Sequence, residues 1–359
     1  MSYFSSVKYT DADGTAHGYI NNDGAPQICA QDYLQALAEG DIADHQPWFH
    51  LGYASATGTA LRDVWEGTGN INTPATAAAV DVASDDNAQD IGTVIFSGTA
   101  SGGSTTSIID TTKDFSGGTP VAIGDAIILE KSGASPEFGY VTAIVSATEL
   151  TVSEGFSFGG DADGKTYSIV DVSAHTGVMV AEIRYLDASY VEGRELVIIN
   201  GTSAVTTVNT DIFKINRVLI DVAGSTHATV GAVSVTVVGG ATVYSVISIG
   251  RTMARTSLYT VAAGKDLYIT SVNFSMGYST NQTEYARMTL ESNQFDRLSG
   301  GFRNNSLYIP SVEIIVSNSS SLVNLRIPRR IREKVSIKVN VDSTIAAAEA
   351  MVAMRGWLE

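Results

Sequence analysis

With 359 residues, 44% of them hydrophobic and only 17% charged, the chain has the composition of a folded protein, and disorder is excluded. A net charge of −16 excludes a general binder of nucleic acid or anionic membrane, because phosphate contacts need clustered cations. Cys29 is the only cysteine, which excludes an internal disulfide and a cysteine-based zinc cluster and fits synthesis in a reducing cytoplasm. No apolar run approaches the ~18 residues of a membrane span. The opening MSYFSSVKYTDADG lacks the basic and apolar regions of a signal peptide.

Short runs of Val, Ile, Thr and aromatic residues lie between Gly, Asn, Asp and Ser, and glycines outnumber prolines 34 to 7. This pattern predicts an all-β, multi-domain protein of many short strands and tight turns. Residues 1–60 read as a docking region. Tyr3, Phe4, Tyr9 and Tyr19 alternate with turn residues, too aromatic for a solvated tail and too turn-rich for a compact core. One short helix is expected over 24–39, with Pro26 near its start, Gly40 at the position of a C-terminal cap, and Ile28, Leu34 and Leu37 as its apolar stripe. His45 and His50 flank Pro47-Trp48-Phe49, a cluster suited to packing, and lack the i,i+4 spacing of a helical metal site. The acidic stretches Asp11-Ala12-Asp13-Gly14 and Asp161-Ala162-Asp163-Gly164 lack the further oxygens a calcium loop needs and read as turns.

Residues 61–91 together with 173–240 read as one discontinuous β-sandwich. A strand at Val80–Ala83 halts in Ser84–Asp90, and SAHTGVMVAEIRYLD (Ser173–Asp187) reads as its continuation. Between them, residues 92–172 form a self-contained small β-barrel with turns at Gly117-Gly118, Ser132-Gly133 and Asp163-Gly164. Its expected core is Phe115, Ile127, Leu129, Val141, Ile144 and Leu150. An insertion whose ends meet costs the host little, since loop-closure entropy grows only logarithmically with length. Residues 241–359 read as a second sandwich, jelly-roll-like, with strands such as Leu267–Met276 and Lys334–Val341. At the end, Ala346, Ala348, Ala350, Val352, Met354 and Leu358 share one strand face, which favours a terminal strand over an alanine-rich helix.

One cationic cluster stands out. NLRIPRRIREK holds Arg326, Arg329, Arg330, Arg332 and Lys334 with only Glu333 opposing, whereas the first sixty residues carry one cation, Lys8, against seven acidic side chains. The stretch reads either as a solvated loop before a strand or as a contact with an acidic partner surface, since guanidinium forks suit carboxylates. Pro328 argues against a central strand. There is no Gly-x-Ser-x-Gly elbow, no His-Glu-x-x-His and no Walker loop. Gly98–Gly103 leads into a strand rather than a phosphate-holding helix N-terminus. A carboxylate pair for glycan cleavage has nothing to single it out among 38 acidic residues. No catalytic, cofactor-binding or metal-ligating residue is assigned.

With 92–172 removed, ATAAAVDVASDDNAQD followed by TGVMVAEIRYLD resembles a family of tailed-bacteriophage virion structural proteins. The matching features are the Ser84-Asp85-Asp86 break, Thr176-Gly177 before a strand, Tyr185-Leu186-Asp187, Ile199-Asn200-Gly201-Thr202, Phe213-Lys214-Ile215-Asn216-Arg217 and Gly224-Ser225. The inserted segment is similar to a small β-module of other phage structural proteins. YTVAAGKDLYITSVNFS resembles a Pro-Ala-Gly-Lys turn of viral β-sandwiches, with Ala262 in place of proline. The resemblance covers roughly residues 60–359 and implies a virion component without enzymatic activity: a capsid decoration, cement or head-fibre protein that works by protein–protein assembly. The implied partners are further copies of itself, a homotrimer by the habit of viral β-proteins, and the major capsid protein or other virion proteins. Nucleic acid and membrane insertion are not implied. A tail or baseplate role with adhesion to host-surface glycan, and a glycan-degrading enzyme, stay open as alternatives.

Overall fold

The structure is a computed structural model that describes residues 9–10, 16–17, 19–20, 26–27, 45–55, 60–118, 120–129, 137–153, 162, 164–277, 286–293, 309–316, 320–343 and 348–359. These residues are all-β, with several sheets arranged as a propeller-like ring. The helix expected over 24–39 falls outside the described residues except for Pro26–Gln27, and those two are strand.

Two small ladders open the chain, β1 (Tyr9–Thr10) with β2 (Ala16–His17) and β3 (Tyr19–Ile20) with β4 (Pro26–Gln27). Then come β5 (Gln46–Ala54), β6 (Arg62–Asp63) and β7 (Val80–Ser84). The inserted segment holds β8 (Val94–Thr99), β9 (Gly102–Ser104), β10 (Ser107–Ile109), β11 (Ala126–Leu129), β12 (Glu137–Ser146), β13 (Glu149–Val152) and β14 (Thr166–Val170). It is followed by β15 (Val178–Leu186), β16 (Glu192–Ile198), β17 (Val205–Thr206), β18 (Lys214–Ala223), β19 (Val233–Val237) and β20 (Val243–Ile247). The chain finishes with β21 (Tyr259–Thr260), β22 (Leu267–Gly277), β23 (Ala286–Ser292), β24 (Ile309–Val316), β25 (Ser320–Ile331), β26 (Ser336–Ser343) and β27 (Glu349–Leu358).

The units are nested. Innermost is one antiparallel sheet, β8-β14-β11-β12-β13-β10-β9, around Ile108, Phe115, Ile127, Leu129, Leu150 and Ile169. Ile144, expected in this core, lies opposite Leu150 where β12 bulges and stays 37% exposed. Around the insert lies a sandwich of β17-β7-β19-β20 on β16-β15-β18, with Val80, Val82, Ile183, Val197, Val218, Val233 and Val235 between the sheets. β7 and β15 therefore occupy opposite sheets, and Ser173–Asp187 is not the continuation of the Val80 strand; the chain changes sheet across the insert. β20 completes this sandwich by pairing with β19, so the boundary expected at 240/241 falls inside a hairpin.

Outermost is a sandwich of β25-β22-β27-β5 on β21-β26-β23-β24, with β6 also paired to β26. Residues 46–54, expected in a docking region, are instead a full-length partner of the last strand, from Ala54 opposite Ala350 to Gln46 opposite Leu358. Their alternation explains this: Trp48, His50 and Ala54 are buried on one face and Phe49 is exposed on the other. The terminal strand forms as expected, with Ala350, Val352, Met354 and Leu358 buried against Phe274, Met288 and Val339. Burying a side chain the size of Val352 or Met354 stabilises the fold by ~1.5–3 kcal/mol.

The inner module is docked rather than tethered. Ala126, Ile128 and Val170 on its outer face meet Met179, Val180, Leu196 and Val222 on the exposed side of the β16-β15-β18 sheet.

Candidate functional site

The cationic stretch is strand as far as Ile331, not a loop, and forms the edge of its sheet. Pro328 falls in the bulge between the partners of Ile269 and Ser271, where a missing N–H breaks no ladder bond. The cations serve different ends. Arg330 Nε donates to Asp266 at 2.9 Å, and that bond raises the Arg330 pKa further. Glu333 accepts the Gly264 N–H at 2.8 Å, and Lys334 Nζ lies 6.0 Å from the Tyr190 ring centre. Arg332 is half-buried. Arg329 is exposed although its register partner, Ile269, is in the core. A charge at an inward register position on an edge strand blocks edge-to-edge pairing. The side chain of Arg326 lies outside the described residues.

The Gly264 turn is the one that resembles viral sandwich turns. Lys265 N–H closes onto Ala262 O at 3.3 Å, and Gly264 has φ 76°, the left-handed value that a type II turn requires at its third position. Four of the other motifs, at 84–86, 176–177, 199–202 and 224–225, converge at the root of the insert. Asp90 is fully buried and its carboxylate accepts the Ser84 hydroxyl and the N–H groups of Val178, Val230 and Gly231. Gly177 admits it, since a Cβ there would stand 2.1 Å from Asp90 Oδ1. Gly224 N–H reaches Gly177 O at 2.7 Å and Gly201 N–H reaches Asp90 O at 3.0 Å. The two linkers are stitched together by His175, which bonds Ala88 O and Thr93 Oγ1, and by Thr176 on Gln89. These motifs build the joint that carries the insert.

The motif at 213–217 builds a second joint, the seam between the two sandwiches. Asn216 Nδ2 donates to Thr260 O and its Oδ1 accepts Thr260 N–H, both at 2.8 Å. Arg217 Nη2 donates to Phe49 O at 3.0 Å. Nearby, buried Glu66 receives Arg255 Nε at 2.8 Å while that guanidinium lies 3.9 Å over the Tyr53 ring. His50 faces the outer core with Nε2 3.0 Å from Leu258 O, and burial, then the Arg217 charge, lowers its pKa to about 4.

Along this seam runs an open cleft of about 670 Å³. One wall is Gln46, Pro47, Trp48 and Phe49 of β5; the other is Arg184, Glu192, Arg194 and Arg217 on the outer face of the β16-β15-β18 sheet. Beneath the arginines, Glu182 is 1% exposed and pairs with Arg184 and Arg194. Burial, then Glu182, raises the pKa of neighbouring Asp221 to about 7.

None of the seam residues was singled out as a site from sequence except His50, read there as packing. One signal was available: Glu182 and Arg184 interrupt the apolar run VMVAEIRYL, and a charge in such a run needs a partner. Among the described residues no group of three or more His, Cys, Asp or Glu could hold a metal ion. The Asp11–Gly14 stretch lies outside the described residues, as do Asp161 and Asp163. No protein-family model matches the chain, and no curated protein matches it either.

Proposed function

We propose that the chain is a structural subunit of a tailed-phage particle, a capsid-associated decoration or head-fibre protein that self-assembles as a homotrimer and buries surface against neighbouring shell subunits. The observation that carries this reading is the strand order of the outer sandwich. Its partners nest as β5 with β27, β6 with β26, β22 with β25, and β23 with β24, and the two sheets run β5-β27-β22-β25 and β6-β26-β23-β24, with the two-residue β21 added on β26. That order supports reading the outer sandwich as an eight-stranded jelly roll with one added edge strand, an architecture frequent in viral capsids and lectins. On this reading the inner sandwich and its barrel are one loop of the roll, projecting from a base that the shell holds. Arg329, exposed on the edge strand, is the cation this reading assigns to an acidic neighbour.

The test is copy number in purified particles of the encoding phage, by quantitative mass spectrometry against the major capsid protein. Copies in the tens to hundreds that scale with the shell support decoration. A handful per particle moves the chain to a tail or single-vertex assembly with host adhesion, and absence from particles overturns both. Arg329→Glu is expected to lower occupancy on the shell without changing the fold of the free protein, measured by co-sedimentation with stripped capsids. Unchanged occupancy removes Arg329 from the interface.

A further inference from the structure

The seam cleft carries more positive charge than its own carboxylates neutralise. Arg184 is the direct register partner of both Arg194 on β16 and Arg217 on β18, so three guanidinium groups stand in one row across three strands. Like charges placed directly opposite destabilise a sheet, and such a row calls for counter-charge. Glu182 supplies part of it, with one oxygen 2.5 Å from Arg184 Nε and 2.9 Å from Arg194 Nε. Asp221 supplies less. It is 3.7 Å from Arg194 Nη2, and burial, then Glu182, raises its pKa. Glu192, at the rim, is held by Lys265 at 2.7 Å. Arg217 spends its one described hydrogen bond on a neutral carbonyl, and its strongest charge neighbour is Arg184, which like burial lowers its pKa.

Facing this row is Phe49, whose ring is 45% exposed at the mouth of the cleft. The volume lies within the range of small-ligand pockets, ~300–1,000 Å³.

We propose that the seam cleft binds a carboxylate-bearing sugar, a uronic or sialic acid residue, with its carboxylate on Arg184 and Arg217 and one face of its ring against Phe49. A carboxylate presents two oxygens to the paired N–H donors of a guanidinium, which makes this bond both strong and oriented. The C–H face of a pyranose ring suits a phenyl ring that is open to solvent on one side. The site goes beyond the particle role and stands whether the chain decorates a shell or belongs to a tail.

The experiment is isothermal titration of the full chain with trigalacturonate, sialyllactose, lactose and a glutamate-rich peptide. Saturable binding of either acidic sugar, with none for lactose or the peptide, is the expected result, and which acidic sugar binds identifies the source of the carboxylate. Arg184→Gln and Phe49→Ala are each expected to weaken binding by about tenfold, the effect of losing one charged contact or one ring face. Arg251→Gln, an exposed arginine elsewhere, is expected to leave it unchanged. Phe49 is exposed, so its variant folds even where Arg184→Gln does not. Binding of lactose equal to that of the acidic sugars, binding of the peptide alone, or no binding at all overturns the proposal. Acidic-sugar binding that survives Phe49→Ala overturns its placement in this cleft.

Discussion

Asp90→Asn exchanges a single oxygen for an amino group at the root of the insert. In the native chain Oδ1 accepts the N–H groups of Val178 and Val230, each at 3.0 Å, while Oδ2 accepts Gly231 N–H at 2.8 Å and the Ser84 hydroxyl at 2.7 Å. The site is 0% exposed, so no water can replace a lost partner. Whichever way the new amide turns, two of the four donors face another donor. A hydrogen bond to a charged group contributes ~1.5–3 kcal/mol, so the loss of two is expected to lower the unfolding free energy by about 3–6 kcal/mol. The lower end applies if the amide turns its nitrogen toward Ser84, whose hydroxyl can rotate away; the upper end applies if it faces the two fixed N–H groups. Urea unfolding followed by circular dichroism measures the difference, with a constant slope showing that the unfolded state is unchanged. A loss below ~1 kcal/mol at constant slope would refute the reasoning that this carboxylate holds the joint.

Ile128→Ala removes a 1% exposed side chain from the face that docks the inner module and is expected to cost ~2–5 kcal/mol. Limited proteolysis is the readout: the native chain is expected to release no 92–172 fragment, and the variant is expected to be cut faster at exposed Ser173. His50 has its pKa lowered from 6.5 to about 4, so on acidification the unfolded chain takes up the proton first. Stability present above pH 6.5 is therefore lost between 6.5 and 4, by about 3 kcal/mol, and His50→Gln flattens that part of the curve. Asp221 slopes the other way: with a raised pKa, its contribution is fully present below 3.8 and is lost as pH rises through about 7. Asp221→Asn is expected to gain stability relative to the native chain as pH rises over that window. The two slopes oppose each other in the native chain, so urea midpoints at several pH values must be compared variant by variant.

Strands were legible wherever one face is buried, because alternation is a local signal. The end of the chain shows this: Ala350, Val352 and Met354 repeat at every second position and form the face that packs. The Gly-rich turns of residues 92–172 were visible as punctuation, but that its outer strands pair, Val94 with Val170, is known only from the structure. Pairing partners were not legible. Nothing near Gln46–Ala54 says that its neighbour in the sheet is the last strand, and nothing near Val80 says that Val178 lies across the core. The cationic stretch was visible as charge, but its internal pairing with Asp266 depends on register. The arginine row was hidden for the same reason. Arg184, Arg194 and Arg217 sit on separate strands, and although Arg184 breaks an apolar run, only the ladder brings the three abreast.

The nesting of units also sets a timetable. β5 ends at Ala54 and its partner begins at Glu349, so at ~5–20 residues per second about 15–60 s of synthesis separate the two. The inner seven-stranded sheet, whose strands all lie between Val94 and Val170, is synthesised long before then, and the strands of the inner sandwich follow once Ile247 has emerged. Throughout that interval the earliest long strand waits with its apolar face uncovered. Order of manufacture thus runs from the inside of the nest outward, and the ten residues of β27 decide whether the enclosing sandwich closes around what it carries.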